Sequence, residues 1–152
     1  QQPLQLVENS GDLVIGARSA HFTAAYGTIG LTPDGGLSWL LPRLVGLRKA
    51  QDIILTNRRI KAAEAEAMGL VTRIVEDEAV TEEGLAAART LADGPVAGLG
   101  AMRALLADSF GTSLEAQLDR ELRFMTVAGA SAESEEGLTA FLDKRAPDFR
   151  KI

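Results

Sequence analysis

The sequence predicts a mixed α/β chain, and three observations carry that reading. Short extended runs alternate with helical ones as far as Ala79, the order expected of an α/β core. Beyond Ala79, apolar residues recur at helical spacing almost without interruption. Glycines and prolines punctuate both regions, and neither holds an internal repeat or a low-complexity segment.

In the first region, residues 12–17 and 21–25 read as short strands joined by a tight connection. Residues 37–45 follow with helical spacing, and Pro42 must bend that helix or sit near its end. A second helix is expected over 47–55, closed by Thr56-Asn57, and a third over 62–68, with Gly69 as its C′ residue. Residues 70–75 read as a strand. The second region opens with a helix over 81–91, whose Glu82 and Glu83 suit a first turn. Gly94-Pro95 breaks it. Residues 96–110 then carry Leu99, Met102, Leu105, Leu106 and Phe110 on one face. Ser113 caps a segment through Val127, with Leu114, Leu118, Leu122 and Met125 in register. A last helix covers 131–143 and stops before Pro147. These stripes suit a core or a subunit interface.

Composition narrows the function classes. At 46% hydrophobic and 24% charged, 152 residues can bury one core of respectable size. A net charge of −5 and the lack of a long basic run argue against nucleic acid as a partner. Arg58, Arg59 and Lys61 are the densest positive cluster and read as a solvated loop. No apolar run reaches the ~18 residues of a membrane span. The chain has no cysteine, so thiolate metal sites and disulfides are excluded, and a cytoplasmic setting is expected. No metal site is expected, since the single histidine, His21, has no partner motif and reads as structural.

The segment with most chemical content is Thr28-Ile29-Gly30-Leu31-Thr32-Pro33-Asp34-Gly35-Gly36, running into Leu37-Ser38-Trp39. It sets one carboxylate between a proline and two glycines at the mouth of a helix. There Asp34 can act as an N-cap, where the dipole favours an anion. Walled by Ile29, Leu31, Leu37 and Trp39, it can also act as a general acid or base. Spacing leaves both roles open.

Several motifs occur in one order: Ser19-Ala20-His21-Phe22-Thr23, the run around Asp34, Leu41-Pro42-Arg43-Leu44-Val45-Gly46 and Ala67-Met68-Gly69-Leu70-Val71. Glu136-Gly137-Leu138 through Lys144-Arg145, with Pro147-Asp148-Phe149, closes the set. Together they resemble the C-terminal half of the crotonase superfamily, also called the enoyl-CoA hydratase/isomerase family. The resemblance runs from Gly11 to Phe149. It implies that residues 11–78 form the C-terminal part of a crotonase-like ββα spiral core, and that residues 79–152 form a helical trimerisation region. Residues 1–10 are atypical. They lack the glycine- and alanine-rich loop that supplies one oxyanion donor in the family, so these 152 residues alone are expected to be inactive.

The resemblance further implies an acyl-CoA thioester substrate, with coenzyme A as part of the substrate and no separate cofactor. It implies an enolate stabilised by two backbone N–H groups, and a homo-trimer or hexamer. The downstream glutamate of a two-glutamate hydratase falls at Tyr26 and the upstream one near Leu6, which disfavours hydration. Asp34 matches an aspartate that carries protons in double-bond isomerases of the family, and a nucleophile in an aryl-CoA dehalogenase. Tyr26, Ile29, Leu31 and Trp39 become candidate acyl-binding residues. Phe141 and Lys144 match residues that meet the coenzyme A moiety. An isomerase is favoured, with the dehalogenase and a non-catalytic assembly module as alternatives.

Overall fold

The computed structural model describes residues 4–5 and 11–152. The chain divides into two compact units, Gln1–Gly84 and Leu85–Ile152.

The first unit holds five short strands and three helices among its described residues. Strand β1 (Leu4–Gln5) runs parallel to β3 (His21–Thr23), and β3 pairs antiparallel with β4 (Ile60–Lys61). A separate parallel pair joins β2 (Ile15–Ala17) to β5 (Arg73–Val75), with Gly16 opposite Ile74. A Cβ on Gly16 would lie 2.9 Å from Ile74 Cδ1, so a larger residue there would require the end of the Ile74 side chain to shift.

Helix α1 (Leu37–Val45) runs through Pro42, the sixth of its nine residues. It packs on α2 (Leu47–Thr56). The two supply Leu37, Leu41, Val45, Ala50 and Ile53 to a core completed by Phe22, Ile60, Ala65, Leu70 and Val71. Helix α3 (Ala62–Ala67) ends in a Schellman arrangement: Gly69, at φ +77°, donates to the Glu66 carbonyl, and Leu70 N–H donates to that of Ala65.

The strands are shorter than their alternation suggests. Leu70 and Val71 direct their amides to the Ala65 carbonyl and bury their side chains, so pairing begins only at Arg73. Ala25, at φ +60°, turns the chain after β3. The expected loop at 58–61 is corrected as well, because Ile60–Lys61 is a strand and Arg58 is held by Asp52 at 2.5 Å and Glu64 at 2.7 Å. Arg58 is engaged by carboxylates rather than freely solvated.

Helix α4 (Val80–Ala92) crosses the boundary between the units. In the second unit, α5 (Val96–Asp108), α6 (Leu114–Gly129) and α7 (Ala132–Leu142) follow closely the expected helices. Ser113 Oγ accepts from Ala116 N–H and Ser131 Oγ from Ser134 N–H, so each serine caps its helix. Helix α5 has no side-chain cap at Pro95; instead the Glu133 carboxylate accepts from Ala97 N–H and Gly98 N–H, both at 2.9 Å. Asp108 and Arg120 pair between α5 and α6. Glu136 closes the C-terminal segment, accepting from Arg145 Nη1 at 2.7 Å, Arg145 Nη2 at 2.9 Å and Asp148 N–H at 2.7 Å.

The apolar stripes of this unit are not a core. Met102, Leu106 and Phe110 are exposed, and so are Leu114, Leu118, Leu122 and Met125. An open groove of about 450 Å³ lies between α5 and α6, lined by Ala97, Gly98, Ala101, Phe124, Val127 and Glu133.

Candidate active site

The connection from β3 to α1 carries the candidate site, and Tyr26 organises it. The Tyr26 ring packs against the buried core. Its carbonyl accepts from Ile29 N–H at 3.2 Å and Leu31 N–H at 3.1 Å, folding residues 27–29 into one turn of 3₁₀ helix that ends at Gly30, φ +72°. Thr28 Oγ1 donates to the Ala25 carbonyl at 2.9 Å and ties the base of that turn.

Pro33-Asp34-Gly35-Gly36 follows, and here the structure corrects the capping expectation. Helix α1 is capped by Gly36 at φ +83°, with no side-chain hydrogen bond. A Cβ there would meet nothing within 4 Å, so its left-handed backbone alone calls for glycine. Asp34 lies two residues too early to cap. Its carbonyl accepts from Leu37 N–H at 3.0 Å, while its carboxylate turns back to accept from the Tyr26 hydroxyl at 2.6 Å. That bond is short, as expected when the acceptor is charged. The Tyr26 phenol is held above its ordinary value, chiefly by donating to the Asp34 carboxylate, with burial and the nearby negative charge acting in the same direction.

Ile29, Leu31 and Trp39 remain on the surface of this region, at 69%, 61% and 53% exposure. Leu37, expected beside them as a wall, points into the core instead. Amphipathic spacing in α1 places it there, with Leu41 and Val45 on the same buried face. Arg43 stacks its guanidinium 3.8 Å from the Trp39 ring centroid and donates to the Trp39 carbonyl, fixing the indole on the first turns of α1.

The structure thus brings Tyr26 and Asp34 into contact. Phe141 and Lys144 belong to the second unit, where Phe141 is 79% exposed at the end of α7 and Lys144 takes φ +55° just beyond it. The position near Leu6 lies outside the described residues. His21 is half-buried on β3 with Nε2 unpartnered among the described groups. Among the described residues, no three His, Asp or Glu side chains are grouped to hold a metal ion, and no helix is long and apolar enough to cross a membrane.

Sequence reasoning missed the phenol–carboxylate bond itself. The two residues stand eight apart across a 3₁₀ turn, with no α-helix or strand between them whose regular spacing would bring the side chains together.

Residues 6–151 match the family model described as "Enoyl-CoA hydratase/isomerase". The chain belongs to the enoyl-CoA hydratase/isomerase family. Within that family it is 40% identical over 139 residues to the 1,2-epoxyphenylacetyl-CoA isomerase of Escherichia coli, covering 91% of this chain and 53% of the relative. A probable enoyl-CoA hydratase of Rhodobacter capsulatus is 41% identical over 140 residues, covering 92% and 54%. A solved enoyl-CoA hydratase/isomerase structure from Mycobacterium abscessus superposes with a TM-score of 0.92 at 32% identity, covering 95% of this chain and 56% of the other. These enoyl-CoA hydratase/isomerase relatives are named as enzymes, and the chain spans about half their length. Their names divide between isomerase and hydratase.

Proposed function

We propose that the protein acts on an acyl-CoA thioester as a double-bond isomerase, with Asp34 as the proton carrier. The observation that carries this reading is the Asp34 carboxylate itself, exposed on a loop and oriented by the Tyr26 hydroxyl at 2.6 Å. Tyr26 stands where a two-glutamate hydratase would need its second acid, so a single carboxylate must both remove and return the proton. Asp34 takes a proton from the carbon next to the thioester carbonyl or its vinylogous position. The electron pair moves into an enolate stabilised by preorganised backbone N–H donors. Asp34 then returns the same proton to a different carbon, so the double bond shifts with no net change in atoms or oxidation state.

In this reading coenzyme A enters with the substrate and no further cofactor takes part. The exposed Ile29, Leu31 and Trp39 side chains face the acyl group. Phe141 and Lys144 meet the coenzyme A moiety, the ammonium serving as a mobile charge near phosphate. The exposed stripes of α5 and α6 assemble the protein as a homo-trimer or a hexamer, in the cytoplasm.

The test is Asp34→Asn in the protein as its source produces it. Loss of general acid–base catalysis should lower kcat by about 10²–10⁴-fold, with far-UV circular dichroism and acyl-CoA affinity retained. A variant that turns over at the wild-type rate would sink the assignment. Incorporation of ¹⁸O from labelled water into Asp34 in a single turnover would identify a nucleophile instead.

A further inference from the structure

An exposed aspartate on a loop samples several rotamers in water, and a carboxylate that must meet a particular carbon loses rate to that freedom. The chain counters it with one residue. Tyr26 is fixed at three levels: its ring packs against the core, its N–H donates to the Ala24 carbonyl at 2.8 Å, and its carbonyl anchors the 3₁₀ turn. From that anchored ring the hydroxyl reaches Asp34 Oδ1 at 2.6 Å. Oδ2 takes no hydrogen bond from any described residue.

We propose that Tyr26 is a positioning residue for Asp34: its core-anchored hydroxyl holds Oδ1 and leaves Oδ2 as the oxygen presented for proton transfer. This rests on the reading of Asp34 as the proton carrier. Tyr26 donates its hydrogen bond throughout and never gives up its proton, which its raised ionisation range favours. A phenylalanine would keep the ring packing and lose only the hydrogen bond.

Tyr26 is the single tyrosine of these 152 residues, so in a chain of this span its ionisation can be followed directly by the near-ultraviolet absorbance of tyrosinate. The midpoint in the wild type should lie above the ordinary value of about 10. Asp34→Ala, which removes both acceptor and charge, should bring it down, and Asp34→Asn, which keeps an acceptor, should fall between. A midpoint that does not move in Asp34→Ala would show that the pair does not form and would overturn the proposal, whatever Asp34 does in turnover. The kinetic arm uses Tyr26→Phe in the protein as its source produces it, expected to lower kcat about ten- to hundredfold, as befits one hydrogen bond to a charged group, with KM little changed. Full kcat in Tyr26→Phe beside an inactive Asp34→Asn would remove the positioning role and leave Asp34 as proton carrier. Full kcat in Asp34→Asn would remove that reading and the positioning role with it.

Discussion

Among the described residues, every fully buried apolar side chain except Ala140 lies between Phe22 and Val71, inside the first unit. The second unit inverts that pattern: α5 and α6 turn Met102, Leu106, Leu114, Leu118, Leu122 and Met125 outward. Both regions show helical apolar spacing, yet only one closes over it. The first unit layers helices on strands, so each apolar face meets another. The second also carries polar ties, among them Glu133 to the start of α5, Asp108 with Arg120, and Glu136 with Arg145. Amphipathic spacing therefore marks a face that must be covered, and says nothing of what covers it.

The sharpest test of this contrast is Phe22→Ala, which empties a fully buried ring site. It should cost about 3–5 kcal/mol, measured by chemical unfolding with the fluorescence of Trp39, the single tryptophan. A cost under about 1 kcal/mol would mean that the first unit lacks the tight packing described. Leu122→Ala should behave differently. Leu122 is 67% exposed, so in dilute protein the loss should stay within about 0.5 kcal/mol. At high concentration the same variant should weaken self-association in sedimentation, and the wild type should gain stability with concentration. A dilute-state cost matching that of Phe22→Ala would break the contrast, and a wild type that stays monomeric when concentrated would refute the proposed assembly.

The smallest effect lies in the polar ties and is read in acid. The Arg145 guanidinium first, and the Asp148 N–H second, hold the Glu136 carboxyl down at about 2, against an ordinary 4.5. A depressed carboxyl stabilises the folded state fully above its unfolded value, and that contribution disappears as the pH falls through the folded one. The difference in thermal stability between wild type and Glu136→Gln should therefore be constant above pH 4.5 and vanish towards pH 2. Exposure and salt keep it small. A difference that persists unchanged at pH 2 would show that the ion pair does not act through this carboxylate.

Helices were the most legible part of the fold, because Gly46, Gly69, Gly94-Pro95, Ser113 and Ser131 mark their ends in the sequence. The strand Ile60–Lys61 was not, since two residues are too few to alternate and the charges around them resemble a solvated loop. Leu70 and Val71 misled because they read as the start of a strand while their amides close α3; only from Thr72, whose N–H donates to the Val14 carbonyl, does the chain turn to its strand neighbour. At the candidate site, Asp34 stood out by its proline and glycines, but its geometry did not. Helix α1 starts at Leu37 as expected, but its cap is the left-handed Gly36, two residues after Asp34. The partner Tyr26 arrives through a turn that follows neither regular period. Family resemblance drew attention to both residues without joining them.

The Glu133 carboxylate has a temporal meaning as well as a spatial one. The first amides of any helix lack partners within it, and those of α5 are supplied by a side chain 36 residues later in the chain. During synthesis, α5 emerges well before the group that completes its opening turn. That turn stays a loose end until α7 settles, so hydrogen exchange at the Ala97 and Gly98 amides is a clock for the arrival of α7 rather than for the formation of α5.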